Sequence, residues 1–158
     1  MGWVNDLRGK VVGLDTAPLI AFIEQQPINV EILRPFFLSV ENYEISLVTS
    51  TVTLLEVLVH PIRYRNVELA QRYRDILFDS PGFTTVDLDQ EIAEEAARLR
   101  AFHKIRTPDS IQMATSIRMN ATYFLTNDLR LPSLPELKII TLDELKTLPE
   151  YLPPNNSH

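Results

Sequence analysis

Short apolar runs alternate with longer segments of helical periodicity along this chain. The run Val11–Leu14 is apolar at nearly every position, which is typical of a strand buried on both faces. Four more segments show strand character: Glu44–Ser50, Phe83–Leu88, Tyr123–Leu125 and Lys138–Ile140. Strands that alternate with helical segments favour parallel pairing with helices on both faces of the sheet. The pattern therefore predicts an α/β fold, a three-layer α/β/α sandwich with a mostly parallel sheet of about five strands.

Proline and capping residues mark where the predicted helices begin and end. Pro18 fits the first position of one helix, Asp89 fits the N-cap of another, and Pro61 is expected to stop a third. The helices that follow from these signals run from Pro18 to about Gln25, Val30–Val40, Thr51–Val59, Asn66–Phe78, 90–103, from a Thr107 cap to about Met119, and Asp143–Thr147. We expect a single domain over residues 1–148, in which residues 1–9 are loosely held with Trp3 at the edge, and a flexible tail over 149–158.

Composition limits the classes of protein that fit this sequence. The 158 residues suffice for one domain with a real core, and no apolar run approaches the roughly 20 residues of a membrane helix. The lack of cysteine excludes disulfides, thiolate chemistry and cysteine-based zinc sites. A net charge of −6 argues against tight non-specific binding of nucleic acid, although a carboxylate metal site would itself contribute negative charge. We expect a cytoplasmic protein with no signal segment and no membrane contact.

Four acidic residues stand at or near the ends of predicted elements. Asp15 ends the first strand, Glu56 lies in the helix after the second, Asp109 in the first turn of its helix, and Asp128 just after the fourth strand. In a parallel sheet, strand exits and the following helix starts meet at one edge, where ligands bind. Carboxylates brought together there repel one another unless a cation neutralises them, and their oxygens suit Mg²⁺ or Mn²⁺. The four residues are therefore predicted to bind divalent metal.

Each of these acids also has a plain structural interpretation. An Asp in the first turn of a helix, such as Asp109, is more often a cap than a metal ligand, and Asp128 after Thr-Asn fits a turn. Glu56 is harder to explain in this way because Leu and Val flank it on both sides, and an acid in apolar surroundings needs a partner. Asp15 directly ends a buried strand. The order and setting of all four favour the metal site.

Four segments of the chain resemble the PIN-domain family, which includes the toxins of VapBC toxin–antitoxin pairs. They are Val12–Thr16, Thr53–Leu58, Pro108–Ser116 and Phe124–Asp128, and they occur in the order found in the family. The resemblance implies a ribonuclease that depends on Mg²⁺ or Mn²⁺, and it carries the family's acidic quartet onto the four acids named above. It also implies an RNA substrate, a cognate antitoxin that blocks the site, and a homodimer.

The corresponding hypothesis for the reaction is attack on an RNA phosphodiester by a metal-activated water. Asp15 and Asp109 would bind the first metal, and Asp128 would complete that site or a second one. Glu56 would hold a metal-bound water or act as the base. Residues that would support the ligands or contact phosphate are Thr16, Thr126 and Asn127. The family often has a hydroxyl or amide residue two positions after the first Asp, where this chain has Ala17, so one supporting contact is missing.

Basic and aromatic residues near two of the acids are candidate RNA contacts: Arg63, Tyr64, Arg65, Lys104 and Arg106. Arg and Tyr side chains suit phosphate contact and base stacking. The same residues also fit solvated helix surfaces, or contacts with acidic groups of a neighbouring subunit or an antitoxin. The sequence leaves these alternatives open.

Other functional classes compete with the nuclease interpretation. A catalytically silent PIN-like module that binds RNA or protein would have the same fold without metal-dependent cleavage. A phosphatase of the haloacid-dehalogenase type requires Asp-x-Asp at the first strand, where this chain has Asp15-Thr16-Ala17. A receiver domain requires an acidic pair before its central Asp and a late Lys, and neither is convincing here. With four glycines in all, the chain has no glycine-rich phosphate loop, which excludes P-loop and Rossmann sites.

Overall fold

A parallel sheet of five strands forms the centre of the computed structural model, which describes residues 2–148. The strands are β1 (Val11–Leu14), β2 (Ser46–Ser50), β3 (Phe83–Val86), β4 (Tyr123–Thr126) and β5 (Lys138–Thr141). Their order across the sheet is β3-β2-β1-β4-β5, and every neighbouring pair is parallel. The predicted parallel sheet is confirmed, and β1 lies at its centre with β2 and β4 on either side.

Eight helices flank the sheet within the described residues. They are α1 (Trp3–Leu7), α2 (Thr16–Ile23), α3 (Asn29–Glu41), α4 (Thr51–Arg63), α5 (Val67–Asp79), α6 (Gln90–His103), α7 (Thr107–Arg118) and α8 (Leu142–Lys146). None of the helices in residues 2–148 is long and apolar enough to cross a membrane.

Alternation along the strands sends neighbouring side chains into two separate cores. Leu47 belongs to the core beneath α1 to α5 and α8, whereas Val48 belongs to the core beneath α6 and α7. Leu125 and Phe124 divide in the same way on β4. Successive residues of a strand point to opposite faces, so a continuous apolar run fills both cores. This confirms the three-layer α/β/α arrangement.

The first residues are more ordered than the sequence predicts. Trp3–Leu7 forms helix α1, and the Trp3 ring stacks on Phe36 with a centroid separation of 5.4 Å. Leu7 is fully buried in the same core. The prediction that residues 1–9 are loosely held was wrong, because this short helix contributes apolar side chains to the core beneath α1 to α5 and α8. The tail predicted for residues 149–158 lies outside the described residues.

Three predicted helix boundaries were also wrong. Helix α2 begins at Thr16, two residues before Pro18, because the Asp15 side chain caps it by accepting from the Thr16 N–H. Helix α4 continues through Pro61 to Arg63, because the backbone carbonyls of His60 and Pro61 still accept bonds from residues further on and the proline ring is buried. Helix α7 has Arg106, not Thr107, at its N-cap. Thr107 is the first helical residue, and its carbonyl accepts a 2.7 Å bond from the Ser110 hydroxyl.

Gly13 allows helix α7 to lie directly against the centre of the sheet. A Cβ atom at this position would come within 2.6 Å of the Ser116 Cβ and 2.9 Å of the Phe124 ring. Such contacts are well inside van der Waals distance, so no side chain fits at position 13 in this arrangement. The close approach brings the start of α7, with Asp109, to the edge of the sheet where β1 ends.

Candidate functional site

One cleft at the carboxyl edge of the sheet contains all four acidic residues selected from the sequence. Its volume is about 680 Å³, and its polar lining consists of Asp15, Thr16, Glu56, Arg106, Asp109, Asn127, Asp128 and Arg130. The convergence follows from topology, because β1, β2 and β4 end at this edge and α7 begins there.

Asp15 is the most buried of the four carboxylates, with 8% of its surface exposed. Its backbone N–H extends the β1–β4 ladder by donating to the Leu125 carbonyl at 3.0 Å. Oδ1 caps helix α2 by accepting from the Thr16 N–H at 2.8 Å, and Oδ2 accepts from the Thr126 hydroxyl at 2.7 Å. Burial raises the pKa of Asp15 to about 6, against the opposing effect of these two hydrogen bonds, and the nearby Asp109 and Glu56 raise it further.

Glu56 has the partner that its apolar sequence setting requires. Helix α4 begins directly after β2, where the Ser50 hydroxyl caps it by accepting from the Val52 N–H at 3.2 Å. Glu56 therefore lies in the second turn, half-buried at the cleft. Its Oε1 accepts a hydrogen bond from the Thr16 hydroxyl at 2.8 Å. Thr16 thus contacts two of the four acids, Asp15 through its backbone and Glu56 through its side chain.

Asp109 and Asp128 lie beside two arginines. Arg130 holds Asp128 by two side-chain bonds of 3.0 Å, one to each carboxylate oxygen, and by its backbone N–H at 2.9 Å. Arg106 Nε lies 3.6 Å from Asp109 Oδ2, and Arg106 Nη2 lies 3.8 Å from Asp128 Oδ2. The Arg130 hydrogen bonds lower the pKa of Asp128, whereas burial raises the pKa of Asp109 in spite of Arg106.

The three predicted supporting residues differ in their contacts. The Thr126 hydroxyl donates to Asp15 and accepts from the Asp128 N–H at 3.0 Å, so it joins the end of β1 to the loop after β4. Thr16 joins Asp15 to Glu56, as described above. Asn127 lines the cleft with an exposed side chain. Ala17 also lines the cleft, where it offers only a methyl group.

The structure separates the predicted RNA contacts into two groups. Arg106 lines the cleft, and Lys104 lines a smaller adjoining cavity of about 100 Å³ that reaches Asp109 and Asp128. Three residues do not line the cleft, because they lie at the far end of α4, about 10 Å beyond Glu56 along the helix axis: Arg63, Tyr64 and Arg65. Only the first group is adjacent to the acids.

Two residues at the site had no predicted role. Arg130 pairs with Asp128 two positions before it, a local spacing that the sequence does offer as a signal. Gln112 is 1% exposed and hydrogen-bonds to residues of α2, β2 and α4. A glutamine on the inward face of a helix, three residues after Asp109, is the corresponding signal in the sequence.

The donor chemistry of the cleft fits a hard divalent cation. Carboxylate and hydroxyl oxygens are the ligands that Mg²⁺ and Mn²⁺ prefer. Burial is the main cause of the raised pKa values of Asp15 and Asp109. As the side chains lie, no group of three or more Asp, Glu or His residues within 2–148 is arranged to hold a metal ion.

Three solved structures of toxin–antitoxin proteins have a similar fold. VapBC2 from Rickettsia felis, bound to a promoter DNA fragment, shares 19% identity over 83% of this chain and 98% of that chain, with a TM-score of 0.63. DNA-bound VapBC from Salmonella typhimurium shares 20% identity over 84% and 97%, with a TM-score of 0.61. A toxin–antitoxin complex from Klebsiella pneumoniae shares 24% identity over 80% and 94%, with a TM-score of 0.59.

The low sequence identities to these structures do not by themselves assign the chain to a family, but a match to a family model does. No curated protein matches the sequence. The model of the PIN domain matches residues 12–137, which span the sheet from β1 to the start of β5 and include all four acids of the cleft. The chain belongs to the PIN domain family.

Proposed function

We propose that this protein is a divalent-metal-dependent endoribonuclease and the toxin of a toxin–antitoxin pair. The observation that carries the proposal is the convergence of four carboxylates in one open cleft, with the most buried of them, Asp15, at a pKa of about 6. Membership of the PIN domain family and the likeness to solved toxin–antitoxin structures support it. A cytoplasmic location fits this role.

The metal would be held by carboxylates of the cleft, Asp15 and Asp109 first and Asp128 with them. Bound Mg²⁺ or Mn²⁺ would offset the negative charge and activate water for attack on a phosphodiester. Glu56, which accepts a hydrogen bond from Thr16, would hold a metal-bound water or act as the base. Asp15 is held in one orientation by its two hydrogen bonds, so its oxygens are fixed before any ligand arrives.

Two arginines at the edge of the cleft are the proposed contacts for RNA phosphates. The side chains of Arg106 and Arg130 are 68% and 69% exposed, so their guanidinium groups reach solvent while they neighbour the acids. A guanidinium group matches a phosphate by two parallel hydrogen bonds. Lys104, in the adjoining cavity, adds positive charge on the same side.

The test is cleavage of a mixed RNA pool with and without Mg²⁺ or Mn²⁺, by wild type and by Asp15→Asn. We expect metal-dependent cleavage that the substitution abolishes. Asp87→Asn is the matched control, because Asp87 follows β3 at the same edge of the sheet, is exposed and does not line the cleft. Full activity of Asp15→Asn would refute the site, and activity independent of metal would refute the mechanism.

The proposed partners are an antitoxin and a second copy of the chain. An apolar groove of about 320 Å³ between α2, α3 and α5 offers the antitoxin a surface separate from the cleft, lined by Phe22, Phe37, Leu38, Ile76, Pro81 and Phe83.

A face for a second copy is offered by exposed apolar residues on α4: Leu55, Val59 and Ile62. The mass of the protein in solution tests the homodimer, and the substitution Leu55→Glu should favour the monomer.

A catalytically silent module is the alternative, and the close pairing of Arg130 with Asp128 favours it. A carboxylate that is bound on both oxygens by an arginine is less available to a metal ion. This alternative predicts that the wild-type protein binds RNA or a partner without metal and cleaves no RNA under any of the conditions above.

A further inference from the structure

We infer that Gln112 is a positioning residue for Glu56, and that it acts through the hydroxyl group of Thr16. Gln112 does not line the cleft, yet its side chain lies between the helix that carries Asp109 and the residues that orient Glu56. The inference rests on the proposed function of the cleft and adds to it a residue that supports the hydrogen bond from Thr16 to Glu56.

Backbone chemistry fixes which end of the Gln112 amide faces which neighbour. The Ser50 N–H lies 3.2 Å from Oε1, and a backbone N–H can only donate, so the atom facing it must be the amide oxygen. The Thr49 hydroxyl oxygen lies 3.2 Å from the same oxygen and 3.0 Å from the Leu14 carbonyl, and its one hydrogen is shared between these two acceptors. The amide NH₂ group is therefore turned towards Thr53 and Thr16, both of which it contacts.

This orientation agrees with the direction in which the hydrogen of Thr16 points. Glu56 Oε1, at 2.8 Å, is a carboxylate oxygen that can only accept, so the one hydrogen of the Thr16 hydroxyl goes to it. Gln112 Nε2 lies 3.5 Å from Thr16 Oγ1 and donates towards it, and the Thr53 hydroxyl lies 3.2 Å from the same oxygen. Gln112 thus supports Thr16 as a donor to Glu56.

The network is buried, which makes its pattern costly to change. Gln112 and Thr49 are 1% exposed, and Thr53 is fully buried. An unpaired amide or hydroxyl in such a place costs about 1–3 kcal/mol, so the fold holds each group in the bonded arrangement. Because one amide joins α2, β2, α4 and α7, the positions of Asp109 and Glu56 are coupled through rigid side chains, not through solvent.

A purely structural role for Gln112 makes a different prediction. In that case its loss would lower stability and would slow the reaction only to the extent that the fold loosens. Thr115 is the matched control, because it is a fully buried hydroxyl on the same helix that donates to its own helix carbonyl, Ile111, at 2.7 Å. Thr115→Val removes a buried hydrogen bond from α7 without touching the network.

The experiment is a double-mutant cycle with Gln112→Met and Thr16→Val, read by single-turnover RNA cleavage with Mn²⁺. Each single substitution should slow cleavage about tenfold, and the double variant should be within about twofold of Thr16→Val, because the two residues act in series. Thr16→Ser should restore the rate, and Thr115→Val should leave it within about twofold of wild type. Additive losses in the double variant would overturn the inference.

A second measurement needs no activity. The ¹³C signal of the Glu56 side-chain carboxyl, assigned with Glu56→Gln, should shift in Gln112→Met and in Thr16→Val but not in Thr115→Val. An unchanged signal in Gln112→Met would overturn the inference even if cleavage slowed. If the wild-type protein cleaves no RNA, the proposed function fails, and the carboxyl signal alone then decides whether Gln112 positions Glu56.

Discussion

Replacing Asp15 by Asn should stabilise the fold while abolishing the proposed activity. The substitution removes a charge that is 8% exposed and keeps the size of the side chain. Asn is as good an N-cap as Asp, so the bond from the Thr16 N–H that begins α2 is retained. The perturbation is therefore close to a pure removal of buried charge.

The magnitude follows from the pKa of Asp15. A rise from 3.8 to about 6 means that the ionised carboxylate weakens the folded state by about 3 kcal/mol at neutral pH. The NH₂ group of Asn cannot accept the hydrogen that Thr126 donates to Oδ2. Loss of this hydrogen bond reduces the gain in the free energy of unfolding by about 1 kcal/mol. The net gain is about 2 kcal/mol at pH 7, or about 4–8 °C in Tm for a chain of this size.

The gain should depend on pH in a defined direction. Because the folded pKa lies above the unfolded value, the unfolded chain loses its Asp15 proton first as the pH rises, and the wild-type fold loses stability between about pH 4 and pH 6. The advantage of Asp15→Asn should be absent near pH 4, grow up to pH 6 and stay constant above it. Below both pKa values, folded and unfolded Asp15 are equally neutral.

Urea unfolding followed by circular dichroism, in EDTA and at several pH values across this window, measures the effect. Asp87→Asn, an exposed acid outside the cleft, should show no comparable gain at any pH. An Asp15→Asn variant that is less stable than wild type at pH 7, or whose gain does not change with pH, would refute the argument that burial of this charge opposes folding.

Three further predictions test other parts of the structure. Gly13→Ala should lower the free energy of unfolding by about 1–3 kcal/mol, because the added methyl meets α7; a urea midpoint equal to that of wild type would contradict this. Arg130→Gln should raise the pKa of Asp128 towards its ordinary value, and an unchanged ¹³C titration of that carboxyl would show that the pairing is absent in solution. Tyr73→Phe removes the buried phenol's 2.5 Å bond to Glu24 and should cost about 1–2 kcal/mol, so equal stability would mean that this bond contributes nothing.

Elements with strong local signals were predicted correctly from the sequence. The run Val11–Leu14 is β1 to the residue, and Asp89 caps α6 by accepting from the Ile92 N–H at 2.8 Å. The Asp89 cap is a contact within a few residues in the sequence, and the apolar run of β1 is a local signal although its partners are the distant strands β2 and β4. The signal for Asp15 is also local, because its place after a buried strand follows from that strand alone.

Features that depend on distant parts of the chain were not predicted. The continuation of α4 through Pro61 depends on burial of the proline ring, which no local rule reports. The proposed role of Gln112 depends on α2, β2 and α4 meeting around one amide, so it needs the strand order and not only the strands. Arg130 is a local partner of Asp128, but its exposure at the cleft edge is visible only in three dimensions.

The position of β1 between β2 and β4 has a consequence for when the cleft can form during synthesis. Asp15 and Glu56 belong to the first half of the chain, whereas Asp109 and Asp128 arrive with α7 and β4. A ribosome-bound chain that has released neither α7 nor β4 carries only half of the acids and lacks the Thr126 hydroxyl that holds Asp15. The order of the strands therefore means that the complete cleft can assemble only after both α7 and β4 have left the ribosome.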